Sequence, residues 1–129
     1  MHLFKLTNRK IQQGRGDMVV FNLDKETILP SGIIEREPID LSRWRFSLKV
    51  HKGVEYRDCD QLFSIKGQMT SGTNGMVYFE VPDEFTDIKP ATYWYTVQYI
   101  KPNGKVYRTQ SAKYIITESL NDYFSIYRK

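Results

Sequence analysis

A tract of aromatic and β-branched residues from Tyr93 to Thr117, YWYTVQYIKPNGKVYRTQSAKYIIT, does most to restrict what this chain can fold into. Such residues fit a pleated, half-buried surface better than they fit a helix. The tract breaks once, at Lys101-Pro102-Asn103-Gly104, where proline presets φ and Asn-Gly tolerates φ > 0. The spacing predicts two antiparallel strands joined by a tight turn. On the first strand Tyr93, Tyr95, Val97 and Tyr99 share one face, and Trp94, Thr96, Gln98 and Ile100 share the other. Both faces carry rings, so alternation alone leaves open which is inner.

The rest of the chain repeats the pattern. Trp44, Phe46, Leu48 and Val50 alternate with Arg43, Arg45, Ser47 and Lys49, which predicts a strand with one apolar and one basic face. Met76 to Val81 alternates again, with Val77, Phe79 and Val81 inward. Met18 to Leu23 and Gln61 to Lys66 read as further strands, and Leu3 to Leu6 as a short opening strand. Asp24 to Arg36, which holds Pro30, Ser31 and Gly32, reads mostly as loop. Connections are expected over His51 to Asp60, Gln68 to Gly75 and the acidic Pro82 to Ala91. Seven or eight short strands with turn signals between them predict an all-β chain, a single immunoglobulin-like antiparallel β-sandwich.

The sandwich domain is placed at residues 1–118 and a C-terminal arm at residues 119–129. In that arm Leu120, Tyr123, Phe124 and Tyr127 recur at helical spacing, and Ser119 suits a helix cap. Two readings stand: a short helix or last strand folded back on the sandwich, or an aromatic arm that docks on a neighbouring subunit.

At 129 residues the chain can bury a core without a disulfide or metal staple. Its one cysteine, Cys59, excludes an intrachain disulfide and disfavours a secreted, disulfide-stapled module. No apolar run approaches membrane-spanning length, and MHLFKLTNRK lacks the features of a signal peptide. Synthesis in a reducing cytoplasm, without a membrane partner, is the expectation. The net charge of +4 is mild and spread along the chain, which argues against strong nucleic-acid binding.

Catalytic patterns are missing from the sequence. Gly14-Arg15-Gly16 precedes a strand, whereas a nucleotide loop precedes a helix. Arg15-Gly16-Asp17 also matches a cell-adhesion tripeptide, yet a turn entering a strand accounts for it. His2 and His51 lack partner spacing, and His51 at a strand end reads as solvated. Asp58 and Asp60 flank Cys59 and oppose a thiolate there, so the thiol reads as inert. Asp83, Glu84 and Asp87 lack calcium-loop spacing and read as an acidic connector. The basic stripe of Arg43, Arg45 and Lys49 has its neighbouring rings on the opposite face, which does not suit a nucleic-acid platform. No cofactor, metal or catalytic residue is expected.

Several segments, taken in order, resemble the immunoglobulin-like N-terminal domain of phage baseplate upper proteins and related phage tail adaptor proteins. They are GRGDMVVFNL, PIDLSRWRFSLKV, NGMVYFEVP and DIKPATYWYTVQYIKPNGKVYRTQSAKYIIT, together spanning about Gly14 to Thr117. The part from Ile88 to Thr109 is the most specific. The glycine usual before the Tyr-x-Tyr strand is Ala91-Thr92 here. Family members often continue into a segment that holds receptor-binding proteins, whereas this chain stops soon after the sandwich. A neck, tail or capsid-associated adaptor is therefore also open.

The resemblance implies a non-catalytic virion component, made in the bacterial host cytoplasm, that assembles with other virion structural proteins or as a homo-oligomer in a ring. Interface candidates are Arg43, Arg45 and Tyr107, with Leu120, Tyr123, Phe124 and Tyr127 on the tail. The alternative is a carbohydrate-binding module recognising a host surface glycan, with Trp94, Tyr95 and Tyr99 as stacking residues.

Overall fold

The structure, a computed structural model, describes residues 4–118. The expectations for residues 119–129, including Leu120, Tyr123, Phe124 and Tyr127, lie outside the described residues, as does His2. The strands in chain order are β1 (Arg9–Gln12), β2 (Asp17–Asn22), β3 (Asp24–Ile28), β4 (Ile34–Pro38), β5 (Arg45–His51), β6 (Gln61–Lys66), β7 (Met76–Val81), β8 (Ala91–Ile100), β9 (Val106–Arg108) and β10 (Ala112–Thr117). One helical turn, α1 (Asp83–Thr86), joins β7 to β8, and a 3-10 turn at Asp58–Asp60 precedes β6.

The main sheet has the order β1-β10-β8-β5-β6, with β9 also pairing β8. A two-stranded layer, β2-β7, faces it, and β3-β4 forms a separate hairpin. This is an all-β sandwich. Tyr93 helps fix the crossing between its layers. It sits near the start of β8, and its hydroxyl donates to the Lys89 carbonyl at 2.5 Å. That bond is a tyrosine corner, which pins the chain where it crosses between layers.

Alternation predicted the inner faces of β5 and β7 and left that of β8 open. Phe46, Leu48 and Val50 of β5, Val77, Phe79 and Val81 of β7, and Tyr93, Tyr95, Val97 and Tyr99 of β8 are all buried in one cluster. Burying each large apolar side chain contributes about 1.5–3 kcal/mol. Tyr95 donates to the Thr7 carbonyl at 2.5 Å, so its buried hydroxyl stays satisfied.

Four expectations need correction. Of the segment expected as an opening strand, the described part is none: Phe4 to Asn8 has no strand pairing, and Phe4 packs edge-on against Phe21 and Phe46 in the core. The first strand among the described residues is β1, and it pairs β10 in parallel, so the sandwich is not wholly antiparallel. Asp24 to Arg36 is not a loop but most of the β3-β4 hairpin. His51 is not solvated: it is 0% exposed at the end of β5.

The predicted turn closes as expected. Gly104 N–H donates to Lys101 O at 2.9 Å and Lys101 N–H to Lys105 O at 3.0 Å, with Gly104 at φ +83. Beyond the turn the second arm is interrupted. Gln98 pairs Arg108 and Tyr95 pairs Ala112, so the second arm carries one extra residue, a β-bulge. Thr109 bridges the gap: its Oγ1 accepts from Val97 N–H at 3.0 Å and its N–H donates to Val97 O at 3.0 Å.

Candidate functional site

The Arg15-Gly16-Asp17 tripeptide is used by the fold. Gly14 and Gly16 hold positive φ, and Asp17 begins β2. The Asp17 carboxylate accepts from Arg9 Nε at 2.7 Å and Nη2 at 2.6 Å, and from the Tyr114 hydroxyl at 3.3 Å. Its side chain is 7% exposed. Arg15 alone of the three projects into solvent, and a carboxylate held this way does not present itself to a receptor.

His51 sits under a short loop, residues 52–60, which is closed by Lys52 N–H donating to Asp60 O. Its Nδ1–H donates to Gly53 O at 2.7 Å, so Nε2 carries the lone pair of the neutral ring. Nε2 and Thr96 Oγ1 are both buried without a partner among the described residues. Burial pushes the His51 pKa down, against a smaller opposing effect of the Gly53 carbonyl. Tyr56 lids the spot edge-on to His51. Arg108 lies 4.1 Å over one ring centroid and Lys49 lies 5.1 Å from the same centroid, while the hydroxyl donates to Asp58 at 2.5 Å. This outer-face cluster ties the loop down. It brings together Lys49, His51 and Asp58, which sequence reasoning had treated separately.

Of the interface candidates, Arg45 is exposed on β5, and Arg43 is exposed in the turn before it rather than on the strand itself. Tyr107 is exposed on β9 yet firmly seated. Its ring stacks on Tyr99 at 5.2 Å, Tyr99 stacks on Trp44 at 5.9 Å, and Lys101 Nζ lies over both Trp44 and Tyr107. Tyr95 and Tyr99 face the core, while Trp94 is half-buried on the opposite face. The three proposed glycan-stacking rings therefore do not form one platform.

A cleft of about 410 Å³ opens beside the bulge, lined by Phe4, Lys5, Leu6, Tyr99 and residues 108–111. Its lining holds no carboxylate, histidine or cysteine. Among the described residues no group of three His, Cys, Asp or Glu side chains converges to hold a metal. Cys59 is exposed. No helix among them is long and apolar enough to cross a membrane.

The feature that sequence reasoning missed is the β3-β4 hairpin. Every residue of both strands is exposed. Ile28, Ile33 and Ile34 at its tip are 74%, 60% and 53% exposed. Its base is fixed: Leu23 N–H donates to Gly75 O at 2.7 Å and Ile39 N–H to Leu23 O at 3.0 Å. Isolated two-stranded hairpins are marginal in water, and this one is exposed throughout with an apolar tip. Further apolar exposure lies at Met18 and Val20 on β2 and at Val106 on β9. Compared with models of known families and with curated proteins, the chain matches none.

Proposed function

We propose that this chain is a non-catalytic structural component of a bacteriophage virion, a tail or baseplate adaptor that works by non-covalent protein–protein assembly. The observation that supports the assembly part is the exposed β3-β4 arm with Ile28, Ile33 and Ile34 at its tip. Large apolar side chains are what interface cores use. The virion setting comes from the resemblance of Gly14 to Thr117 to the adaptor family, whose sandwich builds the tail tip through contacts alone. Its partners on this reading are other virion structural proteins, copies of itself included. The glycan-binding alternative gains no support, since two of its three stacking residues lie in the core.

The test is to purify the particle and look for the chain. Peptide mass spectrometry should detect it at fixed stoichiometry, and electron microscopy should locate its density in the tail. A purified infectious particle that lacks the chain would end this reading.

A further inference from the structure

One side of the main sheet is covered over only part of its length. There β1 pairs Arg9 to Gln12 with Tyr114 to Thr117 of β10. Past the bulge the same side continues as β9, which pairs only β8 among the described residues. The bond pattern shows which of its backbone groups stay bare. Lys101 N–H donates to Lys105 O, and Thr109 N–H to Val97 O. Bonding alternates along an antiparallel ladder, so Lys105, Tyr107 and Thr109 bond toward β8. The N–H and C=O groups of Val106 and Arg108 therefore point out from the edge. An open edge of this kind is a template for another strand.

A row of rings runs to the same edge. Trp44 stacks on Tyr99 at 5.9 Å and 18°, and Tyr99 stacks on Tyr107 at 5.2 Å and 12°. Lys101 Nζ, 5.5 Å from the Trp44 ring and 4.8 Å from the Tyr107 ring, lies on the Trp44 side of this last ring. Tyr107 remains 36% exposed at the end of the row. A strand added to β9 at the usual spacing of about 4.8 Å would set a further side chain beside it.

Two copies related by a twofold axis at Tyr107 complete both features. Val106 then pairs the partner's Arg108 and exchanges both backbone bonds with it, and Arg108 does the same with the partner's Val106. Tyr107 stands opposite the partner's Tyr107 as a non-hydrogen-bonded pair, the closer kind, and the two ring rows become one. Lys105 falls opposite the partner's Thr109, so no like charges face each other. That register also brings the partner's Lys105 beside the cleft lined by Phe4, Lys5, Leu6 and residues 108–111, which gives its turn room. A register centred on Arg108 would set Arg108 against itself, and one centred on Val106 would set Arg108 against Gly104 in the turn.

We infer that β9 is the contact by which two copies of this chain join edge to edge, with Tyr107 against Tyr107 across a twofold axis. This deepens the assembly reading and rests on it.

The test is register-specific crosslinking of the full chain, in a Cys59→Ser background so that the introduced thiol is alone. Tyr107→Cys sets two Cα atoms about 4.5 Å apart across the axis, within disulfide reach, and should form a covalent dimer under mild oxidation by diamide. Val106→Cys and Arg108→Cys are each out of register with their own copies and should stay monomeric alone. Mixed, they stand opposite each other at about 5.5 Å and should crosslink. A folding defect or random collision would not give that pattern. Without crosslinks, a three-residue edge buries less than a stable dimer needs, so pairing is weak, with a Kd on the order of 1 mM. Sedimentation of wild type near that concentration should show mass rising from 15.2 kDa toward twice that value. Tyr107→Glu sets two carboxylates face to face and should weaken pairing about tenfold or more. A mixture that crosslinks no more than either chain alone, or a wild type that stays monomeric, would overturn the pairing. A monomer still found in purified particles sinks the pairing and leaves the assembly reading standing. A chain missing from particles sinks the assembly reading whatever its solution mass.

Discussion

Asp17 illustrates what a single residue does here that a motif search would misread. Its carboxylate takes both donors of the Arg9 fork and the Tyr114 hydroxyl, joining β1, β2 and β10 at one point. Removing it leaves a half-buried guanidinium and a buried phenol without their acceptor. Asp17→Ala should destabilise the fold by about 2–3 kcal/mol, and Arg15→Ala by no more than about 0.5 kcal/mol. Urea unfolding of both variants checks the contrast, and an equal effect from Arg15→Ala would show that the tripeptide acts as a unit. His51 makes the pH case. Its folded pKa lies below the unfolded value because burial disfavours the charged ring. The unfolded chain therefore holds the extra proton. Stability is complete where both states are neutral and falls as pH drops through the unfolded value of about 6.5 toward the lower folded one. Asp60 opposes the shift and Arg108 adds to it. His51→Asn should flatten the melting temperature against pH between neutral and mildly acid conditions; an unchanged slope would assign it to another group. Neither role was legible in the sequence. Asp17 marked only a turn, and alternation sent His51 outward because nothing local announces that residues 52–60 fold back over it.

Two turns built alike met opposite fates in the reading of elements. Leu29-Pro30-Ser31-Gly32-Ile33 and Lys101-Pro102-Asn103-Gly104-Lys105 close with the same pair of backbone bonds and place glycine at φ +86 and +83. The second was legible because its arms alternate around a core. The first was not, since neither face of β3 or β4 is buried and no alternation is required of them. Space around both glycines is open, so a methyl group there meets only the backbone penalty of positive φ. Gly104→Ala should cost the whole domain about 1–2 kcal/mol. Gly32→Ala should leave global stability unchanged and speed amide exchange within β3 and β4 alone, because the arm opens separately from the core. Equal global losses would mean that the arm folds cooperatively with the sandwich. Thr109 is the other element-scale residue. Thr109→Val keeps the side-chain shape but strips the acceptor from the buried Val97 N–H, so the loss should be about 1–3 kcal/mol, measured by urea unfolding. A negligible loss would show that water replaces the hydroxyl at the bulge.

At the scale of the whole molecule, what was legible follows what the core demands. Inner faces of β5 and β7 could be read because burial imposes alternation, whereas rings on both faces of β8 left its inner face open. Parallel pairing of β1 could not, because a four-residue strand at a sheet edge owes its place to Asn8 and Thr117 contacts rather than to pattern.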